Sequence, residues 1–85
     1  MKEIKYTITD PEGIHARPAG EFVKTVSKFN SEINITKGDK TVSAKKIFGV
    51  MSLAVKKGQE ITLTIEGSDE EAAAAEIEAF LKNNM

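Results

Sequence analysis

The chain has 85 residues, no cysteine, and a formal net charge of −1 from 12 basic and 13 acidic residues. That length argues for one domain over residues 1–85, with room for a single core but not for a deep, water-free cleft. The missing cysteines exclude a disulfide scaffold and a thiolate metal site and fit a reducing cytoplasm, while the balanced charge argues against a protein committed to nucleic acid.

The N-terminal residues Met1-Lys2-Glu3-Ile4-Lys5 mix charged and apolar types. They lack the apolar stretch of a signal peptide. No apolar run approaches the ~20 residues needed to cross a bilayer, so direct membrane insertion is not expected. Ile4, Tyr6 and Ile8 alternate with charged or polar residues, which predicts a half-buried strand. Asp10-Pro11-Glu12-Gly13 carries the residue types of a turn and closes it. Ala19, Phe22, Val23 and Val26 then recur at helical spacing. This predicts a helix from Ala16 or Arg17 to Ser27 or Lys28, with Pro18 suited to its first turn.

Ile33 and Ile35 alternate with polar neighbours, and Val42 centres a further strand over 40–44. Gly38-Asp39 between them predicts a hairpin. Ile47, Val50 and Met51 have helical spacing, predicting a short helix from Lys46 to about Leu53. Phe48 falls off that stripe, which leaves two readings: an exposed contact residue, or one that completes the core. Ile61, Leu63 and Ile65 alternate with Thr62 and Thr64 in a fourth strand. Ser68-Asp69-Glu70-Glu71 matches a capping box, with Ser68 as N-cap and Glu71 reaching back. The alanine-rich segment that follows predicts a final helix with Ala73, Ile77, Phe80 and Leu81 on its apolar stripe, ending near Lys82 or Asn83. The order β-α-β-β-α-β-α defines an α+β fold: an open-faced β-sandwich of four antiparallel strands, with three helices on one face and a polar face toward solvent.

The chemistry concentrates in Gly13-Ile14-His15-Ala16-Arg17-Pro18-Ala19, which contains the single histidine. His15 stands just before the predicted helix, whose N-terminus offers unpaired N–H groups and a partial positive charge. Such a terminus is an anion site, and the same field favours neutral imidazole, the nucleophilic form. Arg17 can fork its guanidinium onto phosphate oxygens. On spacing alone, a lone histidine before a helix is more often a cap or a surface residue; the full local pattern points further. One histidine without cysteine partners is a poor metal site, and no motif calls for a cofactor. The lysines at 37, 40, 45, 46, 56 and 57 read either as a solvated face or as a docking surface for an acidic partner.

The segment from Gly13 to Ala19 resembles the active-site motif of the histidine-containing phosphocarrier (HPr) family of the bacterial phosphoenolpyruvate-dependent sugar phosphotransferase system. Ala44-Lys45-Lys46-Ile47-Phe48-Gly49-Val50-Met51-Ser52-Leu53 resembles that family's short-helix motif, and Glu66-Gly67 extends the similarity. The resemblance implies a phosphocarrier acting as substrate of partner phosphotransferases. It implies that His15 receives a phosphoryl group from enzyme I and gives it to the A domain of a sugar-specific transporter, with Arg17 stabilising the group. By position, partner docking falls to Ala16, Gly20 and Lys24 in the first helix and to Ile47, Phe48 and Met51 in the second. Lys46 occupies the place where many family members carry a regulatory serine; without a hydroxyl it cannot be phosphorylated there, and its charge does not mimic phosphoserine. Gly20 stands where a bulkier residue is common.

Other readings carry less of the sequence. A regulatory protein of the same fold would keep both motifs and differ in its partners. An RNA-binding module would need a basic surface and paired strand aromatics, whereas Tyr6 stands alone. A self-sufficient enzyme would need a second catalytic group. Nothing in the sequence points to a dimer, so a monomer is the default expectation.

Overall fold

A computed structural model of the chain describes residues 1–11, 13 and 16–84, and of Ala16 and Arg17 the backbone only. Its elements are β1 (Lys2–Thr7), α1 (Ala16–Ser27), β2 (Glu32–Lys37), β3 (Lys40–Ser43), α2 (Ile47–Ser52), β4 (Glu60–Glu66) and α3 (Glu70–Asn84). The strands form one antiparallel sheet in the order β1-β4-β2-β3.

Register explains the two faces. Ile33 pairs with Ile65, and Ile35 with both Leu63 and Val42, so branched apolar residues stack across three strands. Because strand side chains alternate, the residues between them fall on the opposite face. Glu3, Thr64, Asn34 and Ser43 form one cross-sheet row there, and Lys5, Thr62, Thr36 and Thr41 the next. The helices lie against the apolar face, contributing Ala19, Phe22 and Val26 from α1, Val50 from α2, and Ala73, Ile77 and Leu81 from α3 to the same buried cluster. Phe22 and Phe80 join α1 to α3, with ring centroids 5.9 Å apart and planes tilted by 48°, an arrangement favoured by the ring quadrupoles.

The start of α3 departs from expectation. Ser68 and Glu71 do not form the capping box. The Ala73 N–H donates to the Asp69 carbonyl at 2.9 Å, which makes Asp69 the residue at the helix boundary. The physical reason lies in the turn before β2. The Asp69 carboxylate accepts from the backbone N–H groups of Asn30 (2.8 Å) and Ser31 (2.9 Å), and also from the Ser31 hydroxyl. Fixed by this turn, Asp69 takes the boundary position, and Glu71 pairs instead with Lys2 at 3.5 Å. Those hydrogen bonds, the Ser31 hydroxyl first and the Asn30 N–H next, hold the Asp69 carboxyl below the usual aspartate range. The helix also runs to Asn84, slightly beyond its expected end.

Candidate functional site

Two loops meet at the site. The first follows β1, where the Gly13 N–H donates to the Asp10 carbonyl at 2.9 Å and closes the expected turn. Gly13 has φ +69° and is buried. A Cβ added there would stand 2.3 Å from the Val55 carbonyl oxygen and 2.8 Å from the Lys56 Cα. Only a residue without a side chain fits both the backbone angle and the contact. Thus Gly13, two residues before His15 in the sequence, rests on the second loop, between α2 and β4. Val55 is buried beneath it, and the Lys56 N–H is held by the Gln59 side-chain oxygen at 2.8 Å.

His15 lies outside the described residues, as do the side chains of Ala16 and Arg17. The helix α1 begins at Ala16, so position 15 directly precedes its first turn, and Arg17 lies within that turn. No acidic residue occupies the first turn, and Pro18 there has no N–H to leave unpaired. An anion at this terminus therefore meets no carboxylate from that turn.

Beside it, α1 and α2 bring together five of the residues expected to dock a partner. Gly20 faces Ile47, whose Cδ1 would lie 3.7 Å from an added Cβ. Lys24 is exposed one turn further along α1. Phe48 is 85% exposed and Met51 38%, which decides between the two readings of Phe48: it does not complete the core. Ile47 is half-buried and links that apolar surface to the core. An exposed aromatic flanked by unburied apolar residues is characteristic of an interaction surface.

The lysines divide in a way that charge patterning does not reveal. Lys37 donates to the carbonyls of Leu53 (2.9 Å) and Ala54 (3.2 Å), Lys40 to that of Ser52 (3.3 Å), and Lys45 to that of Phe29 (2.7 Å). Three of the six thus brace main-chain carbonyls. Two of them serve the negative end of α2, where a cation is favoured. Lys46, Lys56 and Lys57 are exposed and make no ion pair or side-chain hydrogen bond among the described residues. Lys46 immediately precedes α2 in extended conformation and gives it no side-chain cap. Directly after that helix, Ala54 adopts φ +49°, an angle that strains any residue with a Cβ.

Among the described residues no group of three His, Cys, Asp or Glu side chains is placed to hold a metal ion, and no helix is long and apolar enough to cross a membrane.

The family model for the PTS HPr component phosphorylation site matches residues 2–83. Solved structures agree with that match. HPr-C-His from Thermoanaerobacter tengcongensis is 44% identical, with a TM-score of 0.93 over 98% of this chain and 93% of that one. The phosphocarrier protein HPr from Bacillus anthracis is 41% identical, with a TM-score of 0.87 over 94% of this chain and 95% of that one. Bacillus subtilis Crh, a catabolite repression protein whose structure is a dimer with a swapped domain, is 38% identical, with a TM-score of 0.78 over 100% of this chain and 98% of that one. The chain belongs to the HPr family, whose members are phosphocarriers of the phosphotransferase system and not catalytic enzymes. The α+β fold expected from the sequence is the fold of these relatives.

Proposed function

We propose that this phosphocarrier takes its phosphoryl group on His15 from phosphorylated enzyme I and delivers it to the A domain of a sugar transporter. In the first transfer the phosphorus–nitrogen bond to the donor histidine breaks as one to His15 forms. In the second, the bond at His15 breaks as the A domain's acceptor side chain takes the group. Such transfers ask for positioning and charge stabilisation more than for added chemistry.

The observation that carries the reading is the start of α1 at Ala16. Ala16 follows the single histidine in the sequence, and Arg17 lies in the first turn of the helix. The helix end and the guanidinium favour the anionic phosphoryl group. Gly20 and Lys24 on α1, Ile47, Phe48 and Met51 on α2, and Ala16 beside the acceptor, supply the docking surface. The HPr membership supports partners within the phosphotransferase system.

Intact-mass analysis after incubation with enzyme I, phosphoenolpyruvate and magnesium tests the reading. The expected result is one acid-labile phosphoryl group that disappears in His15→Ala, followed by its loss on adding a transporter A domain. Arg17→Ala should slow the transfer without unfolding the chain. A folded protein that accepts nothing from active enzyme I would overturn the carrier reading and favour a regulatory binding role.

A further inference from the structure

The loop beneath Gly13 contributes more than a floor. Lys56 has its Cα 2.8 Å from the position of a Gly13 Cβ, so the two Cα atoms lie within about 4.5 Å. Gly13 stands two residues before His15 in the sequence. The Lys56 backbone is fixed from both sides: its N–H donates to the Gln59 side chain at 2.8 Å, and its carbonyl accepts from the Gln59 N–H at 3.0 Å. Its side chain is exposed and makes no hydrogen bond or ion pair among the described residues. Lys37, Lys40 and Lys45, by contrast, are spent on carbonyls. No aspartate or glutamate occurs between Asp39 and Glu60, so the loop offers this ammonium no local counter-charge.

From this arrangement we infer that Lys56 is a second cationic group of the phosphoacceptor site, acting from the α2–β4 loop on the phosphoryl group carried by His15. The inference rests on the assignment of His15 as acceptor. An ammonium there favours the more highly charged form of the phosphoryl group and lowers the pKa of its last proton. In a largely aqueous setting one unit charge about 8–10 Å away is worth about 0.3 pKa unit at low ionic strength, so its loss should raise that pKa by about as much. The effect should shrink as salt shortens the Debye length.

The experiment is a phosphorus NMR pH titration of the enzyme I-phosphorylated protein, comparing wild type, Lys56→Gln, Lys56→Glu and Lys5→Gln. Lys5 is exposed on the solvent face of β1, so its variant makes the same charge change away from the helix side. The expected result is a rise of about 0.3 unit for Lys56→Gln, about twice that for Lys56→Glu, and none for Lys5→Gln. A phosphohistidine titration unchanged in both Lys56 variants, or shifted equally in Lys5→Gln, overturns the role of Lys56 and leaves the His15 assignment standing. Absence of any phosphohistidine signal in the wild-type protein overturns that assignment, and this inference with it.

Discussion

Replacing Gly13 by alanine separates two costs that usually arrive together. The first is conformational: at φ +69° an alanine Cβ crowds the backbone, which costs about 1–2 kcal/mol. The second is steric, because the Cβ would sit 2.3 Å from the Val55 carbonyl oxygen and 2.8 Å from the Lys56 Cα. Both neighbours are backbone, so relief requires one loop to move off the other, at about 1–3 kcal/mol by analogy with overpacked cores. A total of about 3 kcal/mol lowers Tm by roughly 12–24 °C in a domain of this size. Gly38→Ala is the matched control. Gly38 has φ +61° and nothing within 4 Å of an added Cβ, so it carries the first cost alone. Urea unfolding of both variants measures the difference, provided m stays at its wild-type value. Phosphorylation of Gly13→Ala should slow beyond what its unfolded fraction explains, because the displaced backbone leads directly to His15. If Gly13→Ala is no less stable than Gly38→Ala, the two loops are not in the close contact described, and Lys56 is not held beside Gly13.

Ala54→Gly should stabilise the fold by about 0.5–1 kcal/mol, since glycine accepts the left-handed angle at the end of α2 without strain; thermal unfolding checks this, and a lower Tm would contradict it. The Asp69 carboxyl, held below its usual range by the Ser31 hydroxyl and the Asn30 N–H, contributes stability that is complete above the unfolded pKa near 4 and is lost as pH falls through the lower folded value. Asp69→Asn should therefore be less stable than wild type at neutral pH and lose less stability on acidification, and urea midpoints between pH 7 and pH 2 should converge; parallel curves would show that the carboxylate charge is not what holds the turn. Phe48→Ala should change folding stability by less than about 0.5 kcal/mol, as the ring is almost fully exposed. The same substitution should weaken binding to enzyme I by about fivefold or more in calorimetry if the ring anchors the interface, and unchanged affinity would remove it from the docking surface.

The sequence revealed what depends on neighbours along the chain and missed what depends on a distant partner. Alternation at Ile61, Leu63 and Ile65 announces β4 because each of these residues is buried on the same face. The α1 boundaries follow from Pro18 and the stripe that ends at Val26, and both lie within the helix as found. Ser68 satisfies every local rule for a helix cap, yet the boundary falls at Asp69, because the Asn30–Ser31 turn supplies three donors to its carboxylate. A donor set that assembles only on folding leaves no periodic trace in the sequence. The lysines show the same division. Charge patterning treats 37, 40, 45, 46, 56 and 57 as equivalent, whereas folding commits three of them to carbonyls and leaves the others exposed. The glycine in the turn after β1 is legible as a turn former, but its second requirement, room for the Val55–Lys56 backbone, is set by a loop far along the chain. That requirement ties Gly13, two residues before the proposed acceptor His15, to the α2–β4 loop. A substitution in either loop can therefore alter phosphoryl transfer without touching His15 or Arg17.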